Sequence, residues 1–162
     1  MNTETKKPVQ KLLSNGSTNA KTVKNSLKTF ILYLTPGQVG AKNMCPMASK
    51  GCLSACLYTA GFAGVYKSVN AARLRKTEYF IANKVKFILQ LSNEIMKQYV
   101  KAKKGDYKIA FRLNGTSDIP WENFEIIPNR TIFSLFPDVQ FYDYTKHPSR
   151  NLEGKTSGNY DL

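Results

Sequence analysis

TFILYLTPG, residues 29–37, is a six-residue apolar run of β-branched and aromatic side chains closed by Thr35, Pro36 and Gly37. A run that short, ended by Pro-Gly, predicts a buried strand feeding a loop. The loop extends from Gln38 to about Gly64 and holds all three cysteines of the chain. From Val65 to about Lys101 the spacing turns helical: Ile81, Val85, Ile88, Leu91, Ile95 and Tyr99 recur every three or four residues, and Val65–Thr77 reads as a separate first helix. Gly105-Asp106 then signals a turn. YKIAFRL (107–113) predicts a second strand, Asn114–Asp118 a polar loop, and Trp121–Phe136 a helix interrupted near Pro128. Val139–Tyr144 predicts a third strand, followed by the loop from Thr145 to Pro148.

Strands alternating with helices predict an α/β domain. The expected architecture is a partial, half-barrel-like parallel sheet of about three or four strands with crossover helices. In such sheets, ligands bind at the carboxyl ends of the strands. The cysteine loop, the Asn114–Asp118 loop and the Thr145-Lys146 loop all fall on that edge. Residues 1–25, rich in Lys, Asn, Thr and Ser, read as a flexible basic arm. Residues 26–150 read as the single α/β domain, and 151–162 as a loosely ordered tail.

The chain has 162 residues, 42% hydrophobic and 12% aromatic, the composition of a globular domain and not of a disordered chain. Lys and Arg number 24 against 11 Asp and Glu, a net charge of +13. That balance points to an anionic ligand, either a small molecule or a nucleic acid. No apolar run approaches the roughly 18 residues of a membrane span. The opening MNTETKKPVQKLL lacks a signal-peptide core. The protein is therefore expected inside the cell, away from membranes.

The cysteines stand as Cys45-x6-Cys52-x3-Cys56. An odd number in so short a window argues against a secreted disulfide framework and for a metal or redox site. Cys52 and Cys56 are one helical turn apart, and Pro46 and Gly51 let Cys45 fold back towards them. Thiolates suit an iron–sulfur cluster or zinc. Three of them leave one iron of a four-iron cluster open, whereas structural zinc takes four ligands. His147, the only histidine, is the candidate fourth ligand in the zinc case. The plain alternative is that the cysteines pack as small hydrophobes.

Arg112, Asn114, Ser117, Asp118, Thr145 and Lys146 are the candidate contacts for a cofactor or ligand. Arg112 lies within a strand, where a charge must be paired or face a cavity. Ser117 or Asp118 equally suits the cap of a helix starting near Trp121, with Pro120 at its first turn. Arg73, Arg75 and Lys76 form a basic patch beside the cysteine loop. Neither a Walker loop nor a dinucleotide fingerprint is present.

Four blocks carry a resemblance to a known family. They are NMCPMASKGCLSACL (43–57) with Thr59-Ala-Gly61, ARLRKTEYF (72–80), RLNGTSDIPWE (112–122) and FPDVQFYDYTK (136–146). Together they resemble the phage "gene product 88" family, from about Lys21 onward. The resemblance implies a phage or prophage origin and the cytoplasm of the infected bacterium as location. Members of that family continue past the block at Asn159-Tyr160, which implies a shortened member. A weaker likeness is to radical S-adenosylmethionine enzymes, which place a cysteine loop, a polar glycine-bearing loop and a Thr-bearing loop after successive strands. That likeness implies an iron–sulfur enzyme with Asn114–Asp118 near the cofactor's amino group. The cysteine spacing departs from that family's Cys-x3-Cys-x2-Cys. The other expectation is a non-enzymatic nucleic-acid-binding protein with a structural zinc or cluster site.

Overall fold

Strand β2 (Lys28–Leu32) is the apolar run that opens the fold, and it lies inside a five-stranded sheet. The computed structural model describes residues 8–16, 27–59, 62–150 and 158–162. The other strands of the sheet are β1 (Leu13–Asn15), β5 (Ile109–Arg112), β8 (Gln140–Tyr142) and β9 (Tyr160–Asp161), in the order β1-β2-β5-β8-β9. The last four are mutually parallel, and β1 closes one edge antiparallel to β2, with Leu13 opposite Leu32. The sheet is thus mostly parallel, in a mixed α/β fold. Two short hairpins stand outside it: β3 (Gln38–Val39) with β4 (Lys42–Asn43), and β6 (Glu125–Ile127) with β7 (Arg130–Thr131).

Period-two alternation assigns the two faces of the sheet. Phe30, Phe111 and Phe141 stand in register on adjacent strands; Phe30 stacks on Phe111 and Phe141 packs tilted against it, with ring centroids 5.5 and 5.7 Å apart. They face α3 (Lys67–Ala82) and α4 (Lys84–Lys104), whose Phe80, Phe87, Leu91 and Ile95 complete the core with Trp121. Ile31, Ala110, Arg112 and Tyr142 alternate with these and lie on the opposite face.

The expected single apolar helix face is interrupted. Asn83 leaves helical geometry, and its side chain accepts from the Lys86 N–H (3.1 Å) to cap α4. This break shifts the phase. Phe80 and Phe87 enter the core, while Ile81 is exposed and Val85 is 70% exposed. Lys101, Lys103 and Lys104 occupy the last turn of α4, where positive charge suits the helix dipole.

Three expectations need correction. The segment Trp121–Phe136 is not a helix. It holds a 3-10 turn at Trp121–Asn123, the β6–β7 hairpin turning at Pro128-Asn129 (Asn129 φ +61°), and the one-turn helix α5 (Ile132–Leu135). The supposed arm contains β1. Glu94 of α4 accepts from the backbone N–H of Leu12 (2.8 Å) and Leu13 (2.9 Å), and Lys76 Nζ donates to the Leu12 carbonyl (2.6 Å). Burial of Lys76 lowers its pKa to about 8. The supposed loose tail ends in β9, whose Tyr160 is 2% exposed. Residues 1–7, 17–25 and 151–157 of those two expectations lie outside the described residues.

Candidate functional site

The carboxyl ends of β2, β5 and β8 do gather the three loops. After β2 the chain runs through the β3–β4 hairpin, which needs Gly37 and Gly40 at positive φ (69° and 56°). Met44 follows, 4% exposed. Its N–H donates to the Gly37 carbonyl and its own carbonyl accepts from the Asp118 N–H, both at 2.8 Å. The residue just before Cys45 is therefore tied to the Asn114–Asp118 loop. A second tie is Thr116, whose hydroxyl donates to the Leu34 carbonyl. Gly115 permits this closeness, because a Cβ there would lie 2.6 Å from the Tyr33 ring and 2.8 Å from the Leu32 carbonyl.

The three cysteines follow on this anchored stem. The Cys45 N–H donates to Asn43 Oδ1 (2.9 Å), and its thiol lies 3.8 Å from the Thr116 carbonyl. Ser49 caps α1 (Lys50–Ser54) by accepting from the Cys52 N–H at 3.1 Å. Cys56 Sγ accepts from the Tyr58 N–H at 3.5 Å. All three thiols are free and half-buried. Burial pushes the Cys45 thiol pKa up, the Gly37 N–H opposes this, and Asp118, Cys56 and Cys52 add to the rise electrostatically. Among the described residues, no three His, Cys, Asp or Glu side chains stand together in a group able to hold a metal ion. His147 engages its own loop instead, with Nδ1 2.7 Å from Ser149 Oγ.

Arg73 is the site neighbour that the sequence reading placed in a basic surface patch. Its guanidinium lies over the rings of Tyr33 (4.8 Å) and Tyr58 (5.4 Å) and donates to the Tyr58 carbonyl (3.4 Å). Burial lowers its pKa, while Tyr33, Tyr58 and Cys56 work in the other direction. With Lys76 bonded to Leu12, only Arg75 of that patch is exposed.

The candidate ligand contacts divide into two groups. Asn114, Ser117 and Asp118 are buried and committed internally. Asn114 Oδ1 accepts from Ser117 Oγ (2.9 Å), the Ile119 N–H (2.9 Å) and Trp121 Nε1 (3.2 Å). Its Nδ2 donates to the Ile119 carbonyl (2.9 Å) and Asp143 Oδ2 (3.3 Å). Asp118 pairs with Arg150 (2.5 Å) and accepts from the Lys146 N–H (2.9 Å). Arg150 also reaches Glu122 (2.7 Å) and the Tyr160 hydroxyl (2.9 Å), which in turn donates to Asp143 (3.1 Å). Burial opposes the Arg150 charge, but Glu122, Tyr160 and Asp118 raise its pKa on balance. No local pattern marks Glu122, Arg150 and Tyr160 as partners, since they meet only through the sheet. Arg112, Thr145 and Lys146 form the second group, which is not closed into that network. The Arg112 guanidinium lies 4.8 Å from the Tyr144 ring centroid, and its Nε is buried without a hydrogen-bond partner.

Asp143 gives the network a pH signature. Burial raises its pKa from 3.8 to about 7, against the lowering effects of the Asn114 N–H, Tyr160, Arg112 and Arg150. Between those values the native state keeps a proton that the unfolded chain has lost. This group's contribution to stability therefore falls as pH rises from about 4 to about 7. Asp143→Asn should flatten that part of the profile of unfolding free energy against pH. An unchanged slope would assign the effect elsewhere.

Among the described residues, no helix is long and apolar enough to cross a membrane. No curated protein and no solved structure matches the chain. One family model, described as Gene product 88, matches residues 4–162, and with the cysteine loop and the Asn114–Asp118 loop inside that span the chain belongs to this phage family.

Proposed function

We propose that this phage protein binds a metal through Cys45, Cys52 and Cys56, that the metal is an iron–sulfur cluster, and that the sheet's carboxyl edge is its ligand side. The observation that carries the reading is that one anchored loop at the sheet's carboxyl edge holds all three thiols. They are the chain's only cysteines, all free and half-buried, and Cys45 feels the other two electrostatically. Three thiolates suit a soft centre, and a four-iron cluster on them keeps one iron for an external ligand. Metal binding would displace the thiol protons, and the Arg73 charge beside Cys56 would offset part of the resulting negative charge. The thiols must turn towards one another to meet a common centre.

The strand order β2, β5, β8, β9, each parallel to the one before, supports a half-barrel reading. A radical-type enzyme using S-adenosylmethionine fits that reading, with Arg112, Thr145 and Lys146 as the polar groups left to bind a cofactor. The alternative, a non-enzymatic nucleic-acid-binding protein with structural zinc, draws on the +13 charge.

The test is iron, sulfide and zinc content with a visible spectrum, on protein purified without oxygen. Iron with sulfide is expected, and each Cys→Ser replacement should remove most of the signal. Full signal in any serine variant would remove that cysteine from the site. About one zinc per chain would favour the alternative.

A further inference from the structure

The sheet face opposite Phe111 and Phe141 leads to a feature in which the three cysteines take no part. Phe111 and Phe141 point into the core, so Arg112 and Tyr142 point the other way, and Tyr144 follows two residues later. Tyr144 is 68% exposed although its neighbour Asp143 is 3% exposed. The Arg112 guanidinium supports the Tyr144 ring at 4.8 Å and the Tyr142 ring meets it edge-on at 6.4 Å. A large aromatic ring is thus held out in water in a fixed pose. Beside it opens a cleft of about 480 Å³ lined by Tyr144, Thr145, Lys146, His147, Pro148 and Leu162. That volume is in the range of small-ligand sites.

The chemistry of this shelf is aromatic and cationic. Among the described residues that line the cleft, no side chain carries a carboxylate. Asp118 takes the Lys146 backbone N–H and leaves the ammonium group exposed, and Asp143 is spent on Asn114 and Tyr160. Arg112 adds positive charge from against the Tyr144 ring, with its Nε buried and not open to the cleft. A sugar site would pair an aromatic ring with carboxylates or amides, and a peptide groove would be lined by more aliphatic side chains than Pro148 and Leu162. An open tyrosine flanked by cations suits a flat ring that carries a phosphate.

We propose that this shelf binds a nucleotide unit, with the base stacked on Tyr144 and the phosphate held by Lys146. The unit is either a free nucleotide or one residue of a single strand, and both present the same base and phosphate. The proposal names the ligand class of the sheet edge read above as the ligand side and rests on that reading, but the cysteines take no part in it.

The experiment titrates the full chain at low salt with a labelled oligothymidylate and, separately, with thymidine monophosphate. Binding of at least one probe is expected, and which one identifies the source. Tyr144→Ala should weaken it about 5- to 100-fold, and Tyr144→Phe should retain most of it. If the strand binds, Lys146→Ala should lower the dependence of log K on log salt by about one unit. Thermal melting of each variant checks that it is folded. Absence of binding by both probes overturns the proposal, as does equal binding by folded Tyr144→Ala. A Cys45→Ser chain that loses iron but still binds the probe through Tyr144 separates this site from the cluster reading.

Discussion

Asn114→Ala is expected to cost about 3–5 kcal/mol of folding stability, because it strands several buried polar groups at once. The side chain is 1% exposed and makes five hydrogen bonds. Its removal leaves the Ser117 hydroxyl, the Ile119 N–H and the Trp121 indole N–H as donors without an acceptor. Each buried unmet group costs roughly 1–3 kcal/mol, reduced where water can enter the vacated space. For a chain of this size the loss corresponds to a melting point lower by about 6–20 °C. Denaturant unfolding of the two proteins measures it. A loss under about 1 kcal/mol would mean that the loop re-pairs its donors without the amide.

Arg150→Met should be comparably severe for a different reason. Arg150 is 5% exposed and is the cation between Asp118 and Glu122, whose side chains are 9% and 11% exposed. Removing it buries two carboxylates without a counter-charge, a change that typically costs about 3–5 kcal/mol. The same reasoning predicts a rescue. Combining Arg150→Met with Asp118→Asn and Glu122→Gln should recover most of the loss, since neutral amides tolerate burial far better than unpaired ions. If the triple variant is as unstable as the single one, the damage comes from lost packing of the arginine and not from stranded charge. Near-native stability of Arg150→Met alone would mean that water reaches the two carboxylates.

The three central strands were legible because their signal is local. TFILYL, KIAFRL and VQFYDY are short apolar runs bounded by turn residues, and such runs make buried parallel strands. β1 and β9 were not legible. LSN and YD are too short to carry a pattern, and they pair only because an existing sheet offers them an edge. Trp121–Phe136 misled because its apolar residues fit helical spacing as well as they fit a hairpin, and Pro128-Asn129 is a turn signal that deserved more weight than that periodicity. At the site, the convergence of the cysteine and Asn114–Asp118 loops followed from the α/β rule. The inward commitment of Asn114 and Asp118 did not, because it depends on Asp143, Arg150 and Tyr160, which come near only when β5, β8 and β9 are aligned. Tyr144 ends the third strand, and its exposure is a property of the finished sheet.

The clamp that Glu94 and Lys76 place on Leu12 and Leu13 has a consequence for biosynthesis. Leu12 and its carboxylate partner are 82 residues apart, so the first strand leaves the ribosome long before its anchor exists. At about 5–20 residues per second that interval is about 4–16 s. Throughout it, β1 has only its pairing with β2 to hold it, without the Glu94 and Lys76 contacts to Leu12 and Leu13. The edge strand is therefore the part of the sheet whose anchoring is completed last during synthesis, once α4 has been made.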